Sequence, residues 1–172
     1  MIEDYVPQIL PILKWPNDNK LHEKSVDVVN FNDDLLRLTL DMLHTMFVNN
    51  GIGLAAPQTG NMINVIVVAL PNESPIVLIN PKIKSSSEEV FQFNEGCLSV
   101  PGYFENRKRP KEIVVEYQSI FGDATESAFD GLMAFVIQHE IDHLQGKVFV
   151  DNSSAMKKQR ILEKMKKVAS RK

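Results

Sequence analysis

The stretch that most constrains the fold begins at Gly131. From residue 132 to about 145 the chain reads Leu-Met-Ala-Phe-Val-Ile-Gln-His-Glu-Ile-Asp-His-Leu-Gln, a strongly apolar helical run, and Gly146 suits the position just past a helix end. A helix with so little polar surface has to be enclosed by other elements. His139 and His143 nevertheless sit within it, four residues apart, so both imidazoles leave one helix face a turn apart. Shielded by Phe135, Val136 and Ile137, they are placed to share one divalent metal. Glu140 follows the first histidine, where it neighbours such a metal without ligating it and can take a proton from its water. Two half-buried histidines bonded to carbonyls would give the same pattern, so it does not decide alone.

The rest of the chain supplies the enclosure. Pro7, Pro11 and Pro16 predict an irregular segment over residues 1–31. Asn32 or Asp33 caps a helix to about Val48, with Leu35, Leu36, Leu43, Met46 and Phe47 on its apolar side and Asn49-Asn50-Gly51 as the stop. Strands are expected at 64–70, at 76–79 bounded by Pro81, weakly at 88–93, and at 112–120. Phe121-Gly122-Asp123 turns into a partner strand over 124–129, and Pro101-Gly102 reads as another turn. Ser153 or Ser154 caps a last helix to about Ala169, striped by Ile161, Met165 and Val168. The predicted order is helix, several short strands, helix, strand, helix, without repeat or linker. It implies an α+β fold: antiparallel β-sheets packed around a central metal-binding helix, with a C-terminal helix.

Composition narrows the function. With 172 residues, 44% hydrophobic and 24% charged, the chain can fill one core and is not disordered. A lone cysteine, Cys97, excludes an intrachain disulfide framework. The acidic start Met1-Ile2-Glu3-Asp4-Tyr5 is unlike a secretory or transit peptide, and the longest apolar run falls far short of a membrane span. A cytoplasmic location is therefore expected. The net charge of −3 is unevenly spread: residues 151–172 carry eight basic side chains against Asp151 and Glu163, a balance of +6. Such a tail suits an anionic surface, or equally a solvated helix face.

Two histidines leave a catalytic metal short of its usual three protein ligands. His44 is expected at the surface of the first helix, and His22 lies among charges where solvation is expected. Cys97, in Glu95-Gly96-Cys97-Leu98-Ser99, is the remaining soft ligand, and a thiolate would suit a softer metal than a plain zinc peptidase uses. In Gly51-Ile52-Gly53-Leu54-Ala55-Ala56-Pro57-Gln58 the small residues leave room for an extended peptide, and Gln58 offers an amide donor for an oxyanion. A tight small-residue turn would read the same.

Together these three segments resemble the peptide deformylase family, which removes the N-formyl group from nascent chains. They stand in the family's order with family-like spacing, and the resemblance runs from about Ile9 to Ser153. It implies a single catalytic domain over residues 1–172, with 153–172 as a basic C-terminal helix. Cys97, His139 and His143 would bind one divalent metal, Fe²⁺ natively, with Zn²⁺ or Ni²⁺ able to replace it. Glu140 would be the general acid and base. Gln58 and the backbone N–H of Leu98 would polarise the formyl oxygen. Gly53 would meet the substrate backbone, and Ile52, Leu98, Phe135 and Val136 would line the methionine pocket above His139. The partners implied are N-formylmethionyl nascent peptides and, through the basic helix, the ribosome; neither membrane nor DNA is expected, and the chain is expected to be a monomer.

The chain departs from the family pattern in places. Leu21-His22 and Ser25-Val26 stand where Leu-Arg and Pro-Val are common, and Phe104 stands near a frequent substrate-contacting arginine. Arg109 matches a recurrent arginine expected to be structural. Two other classes compete. A His-Glu-x-x-His peptidase would leave the Cys97 and Gln58 segments without a purpose, and a non-catalytic module docking by its tail would leave the ligands, base and donor without one.

Overall fold

The computed structural model describes residues 4–170. Met1, Ile2 and Glu3 of the acidic start, and Arg171 and Lys172 of the basic tail, lie outside the described residues. Helix α1 spans Asp33–Val48. Strands β1 (Gly53–Ala55), β2 (Val65–Val68) and β3 (Ile76–Ser86) follow. Then come β4 (Val90–Cys97), β5 (Val100–Pro110), β6 (Glu112–Gln118) and β7 (Ala124–Asp130). Helices α2 (Gly131–Leu144) and α3 (Ala155–Ala169) complete the chain. Five strands form one antiparallel sheet in the order β1-β2-β3-β6-β7, and β4 and β5 form a separate antiparallel hairpin.

Strand β2 explains the layering. Its side chains alternate between faces. Val65 and Val67 pack with Leu35, Met42 and Met46 of α1, while Ile66 and Val68 pack with Ala134, Val136 and Ile137 of α2. A strand covered on both faces has no polar side, which is why residues 65–68 are all apolar. Helix α2 also touches β4 and β5, so it lies between the large sheet and the hairpin. This is the α+β arrangement expected of the sequence. A third cluster joins Trp15, Val100, Tyr103, Phe149 and Ile161 beneath α3. No described helix is long and apolar enough to cross a membrane.

Local details differ from the sequence reading. The buried line of α1 runs through Leu35, Thr39, Met42 and Met46, and Phe47 is half exposed. The polar residues Asp41 and Thr45 are buried because the N-terminal segment lies on them. Asp41 accepts from Tyr5 Oη (2.8 Å) and Gln8 N (2.6 Å), and Thr45 Oγ1 accepts from Leu10 N (2.8 Å). Pro81 does not bound β3; it sits in a register shift between Ile79 and Lys82, where the ladder skips a residue and needs no N–H. The strand expected at 88–93 continues to Cys97 and pairs with β5, which was not predicted. The chain reverses at Leu98-Ser99 rather than at Pro101-Gly102, which lies inside β5. Between α2 and α3 there is no strand: Val148, Phe149 and Val150 are buried in a turn pinned by Asp151, which accepts from Val148 N (2.7 Å) and Trp15 Nε1 (3.0 Å).

Candidate active site

Two elements bring three donor side chains to one point. Helix α2 brings His139 and His143, and the end of β4 brings Cys97. Cys97 Sγ lies 3.3 Å from His143 Nε2, and the two Nε2 atoms lie 3.2 Å apart. All three donor atoms fall within 4.8 Å of one another. Ligands about 2.0–2.3 Å from a shared tetrahedral metal stand roughly 3.3–3.6 Å from each other, so the spacing fits a metal. The donor set, one thiolate and two imidazoles, fits a borderline-soft divalent ion. His22 and His44 take no part. His22 is partly exposed, 3.6 Å from Asp151, and His44 is half-buried on α1.

A second layer holds these ligands. His139 Nδ1 donates to Glu95 Oε1 at 2.5 Å, which directs Nε2 at the metal position. Arg109 donates to both oxygens of Glu95 (2.8 and 3.3 Å) and to Asp142 Oδ2 (2.8 Å), and its guanidinium lies over the Phe135 ring. Burial pushes the Glu95 carboxyl up, but the hydrogen bonds from His139 and Arg109 outweigh it and hold the group at about 2. Burial likewise opposes charge on both rings. At His139 the hydrogen bonds with Cys97 and Glu95 prevail and raise it, whereas burial and the His139 charge hold His143 well below its usual value. Glu95, Asp142 and Ser99 were not singled out from the sequence. Glu95 and Cys97 are two apart on β4, hence on one face, and that period was the available signal for Glu95.

Gln58 is fixed at both ends of its amide. Its Oε1 accepts from Ala55 N (2.8 Å), and its Nε2 donates to Ser99 Oγ (3.2 Å) and towards Cys97 Sγ (3.3 Å). The backbone beside it is pinned by the N-terminal segment, through Leu13 N to Gln58 O (2.7 Å) and Trp15 N to Ser99 O (3.0 Å).

Glu140 lies against Gly53. A Cβ at residue 53 would stand 2.3 Å from Glu140 Oε1, so the glycine makes room for the carboxylate as well as for any bound peptide. The other oxygen, Oε2, is buried without a hydrogen-bond partner, as is His143 Nδ1. Burial raises the Glu140 carboxyl to about 7, the His139 charge working against it. A carboxyl poised near neutrality, with an unmet oxygen, suits proton transfer.

A cavity of about 860 Å³ opens over this centre. Ile52, Gly53, Gln58, Cys97, Leu98, Phe135, Val136, His139 and Glu140 all line it, which brings every residue expected at the site to one wall, save His143 behind. Phe104 stands on its rim, 59% exposed.

Known proteins resemble this chain in sequence and fold. The model of the polypeptide deformylase family matches residues 9–159. A peptide deformylase of Acinetobacter baumannii (strain SDF) is 43% identical over 93% of this chain and 92% of its own length. The chain belongs to the polypeptide deformylase family. The solved peptide deformylase of Ehrlichia chaffeensis matches with a TM-score of 0.88 at 37% identity, covering 94% of this chain and 97% of that one. A deformylase from Acinetobacter baumannii, solved with Met-Ala-Ser bound, matches with a TM-score of 0.81 at 34% identity, over 85% of this chain and 99% of its own.

Proposed function

We propose that this deformylase hydrolyses the formyl amide of N-formylmethionyl nascent peptides, releasing formate and a free amino terminus. One observation carries the reading: a Cys97–His139–His143 donor group lies beside a buried Glu140 whose Oε2 has no partner, in a cavity with apolar walls. A divalent ion held by those three ligands would supply a Lewis acid that acidifies a water and polarises the formyl oxygen. Glu140 takes the proton of the attacking water. The water oxygen bonds the formyl carbon, and Gln58 Nε2 and the Leu98 N–H donate to the oxygen that becomes negative. Glu140 then returns the proton to the amine as the carbon–nitrogen bond breaks. The main chain of Gly53 aligns the peptide, and Ile52, Leu98, Phe135 and Val136 receive the methionine side chain, whose unbranched thioether suits an apolar slot.

Membership of the deformylase family supports Fe²⁺ as the native ion, and the thiolate–imidazole donor set also accepts Zn²⁺ or Ni²⁺. The chain acts as a cytoplasmic monomer, and its basic C-terminal helix meets ribosomal RNA phosphates. Neither membrane nor DNA is a partner in this reading. The test is formate release from formyl-Met-Ala-Ser by protein purified without oxygen, its metal quantified. Release that is lost in air supports iron, and release that survives air points to zinc or nickel. One metal per chain without formate release would overturn the activity.

A further inference from the structure

The two groups that face a developing oxyanion come from separate parts of the chain. Gln58 belongs to the single turn Ala56–Thr59, and Leu98 to the reversal that joins β4 to β5. That reversal is short: Cys97 pairs with Val100, so Leu98 and Ser99 alone make the turn. Neither has a positive φ, so the turn is not one of the primed types whose twist matches a two-residue hairpin, and it gains from being held from outside. Three consecutive residues of the N-terminal segment hold it. Leu13 N donates to Gln58 O (2.7 Å), Lys14 Nζ to Leu98 O (2.7 Å) and Trp15 N to Ser99 O (3.0 Å). This strut is itself fixed: Lys14 N donates to Asp18 Oδ2 (2.5 Å), and the buried Trp15 ring donates to Asp151 Oδ1 (3.0 Å). Of the strut's three bonds to the donor segments, the one from Lys14 is made by a side chain, and that side chain is exposed on the cavity wall.

We infer that Lys14 is a positioning residue for the oxyanion donors: its ammonium fixes the peptide between Leu98 and Ser99 and so sets the aim of the Leu98 N–H. The inference rests on the deformylase reading above. Turn types I and II differ chiefly in the orientation of the peptide between the two central residues, so that peptide is the soft point of such a turn. Here both of its ends are occupied. Lys14 takes the Leu98 oxygen, and Ser99 N donates to Cys97 Sγ (3.4 Å). If the Leu98 carbonyl swings away, the Ser99 N–H leaves the sulfur and the Leu98 N–H tilts with it. A donor stabilises an oxyanion only when it is aimed at the oxygen's place in the transition state, and a misplacement of about 1 Å can cost about a hundredfold in rate. A charged donor suits this task, because it bonds a carbonyl more strongly than a neutral one does.

The test uses zinc-loaded holoenzyme of the wild type, of Lys14→Met, which keeps the stem and removes the donor, and of Lys14→Arg, which restores a donor. Formate release from formyl-Met-Ala-Ser, calorimetric binding of Met-Ala-Ser and hydrogen exchange of the Ser99 amide are measured together. Lys14→Met is expected to lose on the order of tenfold in kcat with KM within about twofold, and to exchange the Ser99 amide on the order of tenfold faster. Lys14→Arg is expected to keep most of both wild-type values. Product binding should not change, because the product has no formyl oxygen. An unchanged kcat in Lys14→Met overturns the inference, whatever the exchange shows. A rise in KM with weaker product binding also overturns it, since Lys14 would then touch the substrate itself. Equal losses in Lys14→Met and Lys14→Arg overturn it as well, since the donated bond would not be what matters. If the wild type releases no formate, the deformylase reading fails on its own; the hold on the turn then stands if exchange rises in Lys14→Met alone, and is overturned if it does not.

Discussion

At Glu140 one oxygen is pressed against a glycine and the other has no hydrogen-bond partner, and burial keeps the carboxyl protonated up to about pH 7. In the unfolded chain the same group ionises near the ordinary 4.5. Between those two values the folded, metal-free protein binds more protons than the unfolded chain, so its stability falls as pH rises through that window, by roughly 3 kcal/mol in all. Glu140→Gln has no proton to lose. Metal-free Glu140→Gln is therefore expected to lose less stability than the metal-free wild type between about pH 5 and about pH 7, the difference isolating Glu140 from the His139 and His143 titrations that both proteins share; parallel thermal melts would show it. The same variant, loaded with metal, should retain the ion and lose about 10²- to 10⁴-fold in kcat. Wild-type turnover in Glu140→Gln would remove the residue from proton transfer. Cys97→Ser is expected to alter metal retention instead, read by metal analysis after dialysis. These residues were legible because each stands in a short segment whose letters carry their own chemistry: two histidines a turn apart, a cysteine beside a glycine, an amide after small residues.

Where elements meet, long-range pairing decides, and here less could be read. Helices α1 and α2 announce themselves through period and caps, and β2 through its apolar run. Strand β5 did not, because Glu105, Arg107, Lys108 and Arg109 give it the look of a loop; in the hairpin Lys108 turns towards water while Arg109 turns inward to Glu95 and Asp142. Missing β5 hid the link that Arg109 makes between Glu95 of β4 and Asp142 of α2. Arg109→Met would leave Glu95, 2% exposed, with His139 and the more distant Arg107 (4.0 Å) as partners, at an expected loss of about 3–5 kcal/mol in denaturant unfolding. A slacker His139 should also bind metal about 10- to 100-fold more weakly in chelator competition. The acid response gives the sign independently. The Glu95 carboxyl is held at about 2 in the fold, so its contribution is complete above the usual 4.5 and drains away as pH falls towards 2. Without the Arg109 guanidinium the folded value rises and Glu95 contributes less stability above that window, so acid unfolding of Arg109→Met should move to higher pH. An acid midpoint equal to the wild type's would detach Arg109 from the network.

For the whole molecule, the charge split of the sequence and the seating of α3 bear on the same helix. The basic tail was plain from composition, and so was the Ile161, Met165 and Val168 stripe. That Val168 would reach the active-site cavity was not, because its seat is the missing side chain of Gly102 on a strand the pattern did not reveal. The structure divides the basic residues by task. Lys157 is bonded to Glu105, and Lys164 lies over Tyr103, whereas Arg160, Lys166 and Lys167 are exposed. Removing the helix would strip the cover from Val100, Tyr103 and Ile161's own site, so truncation would confound docking with unfolding. Exchanging Arg160, Lys166 and Lys167 together for Gln leaves the apolar seat intact and should leave the Tm within about 1–2 °C, since exposed substitutions cost little. If these side chains meet RNA phosphate, each released about 0.7–0.9 counterions on binding, and the triple variant should flatten the slope of log affinity against log salt by about 2. Sedimentation with ribosomes across a salt series reads that slope directly. A variant with the wild-type slope would place the contact elsewhere.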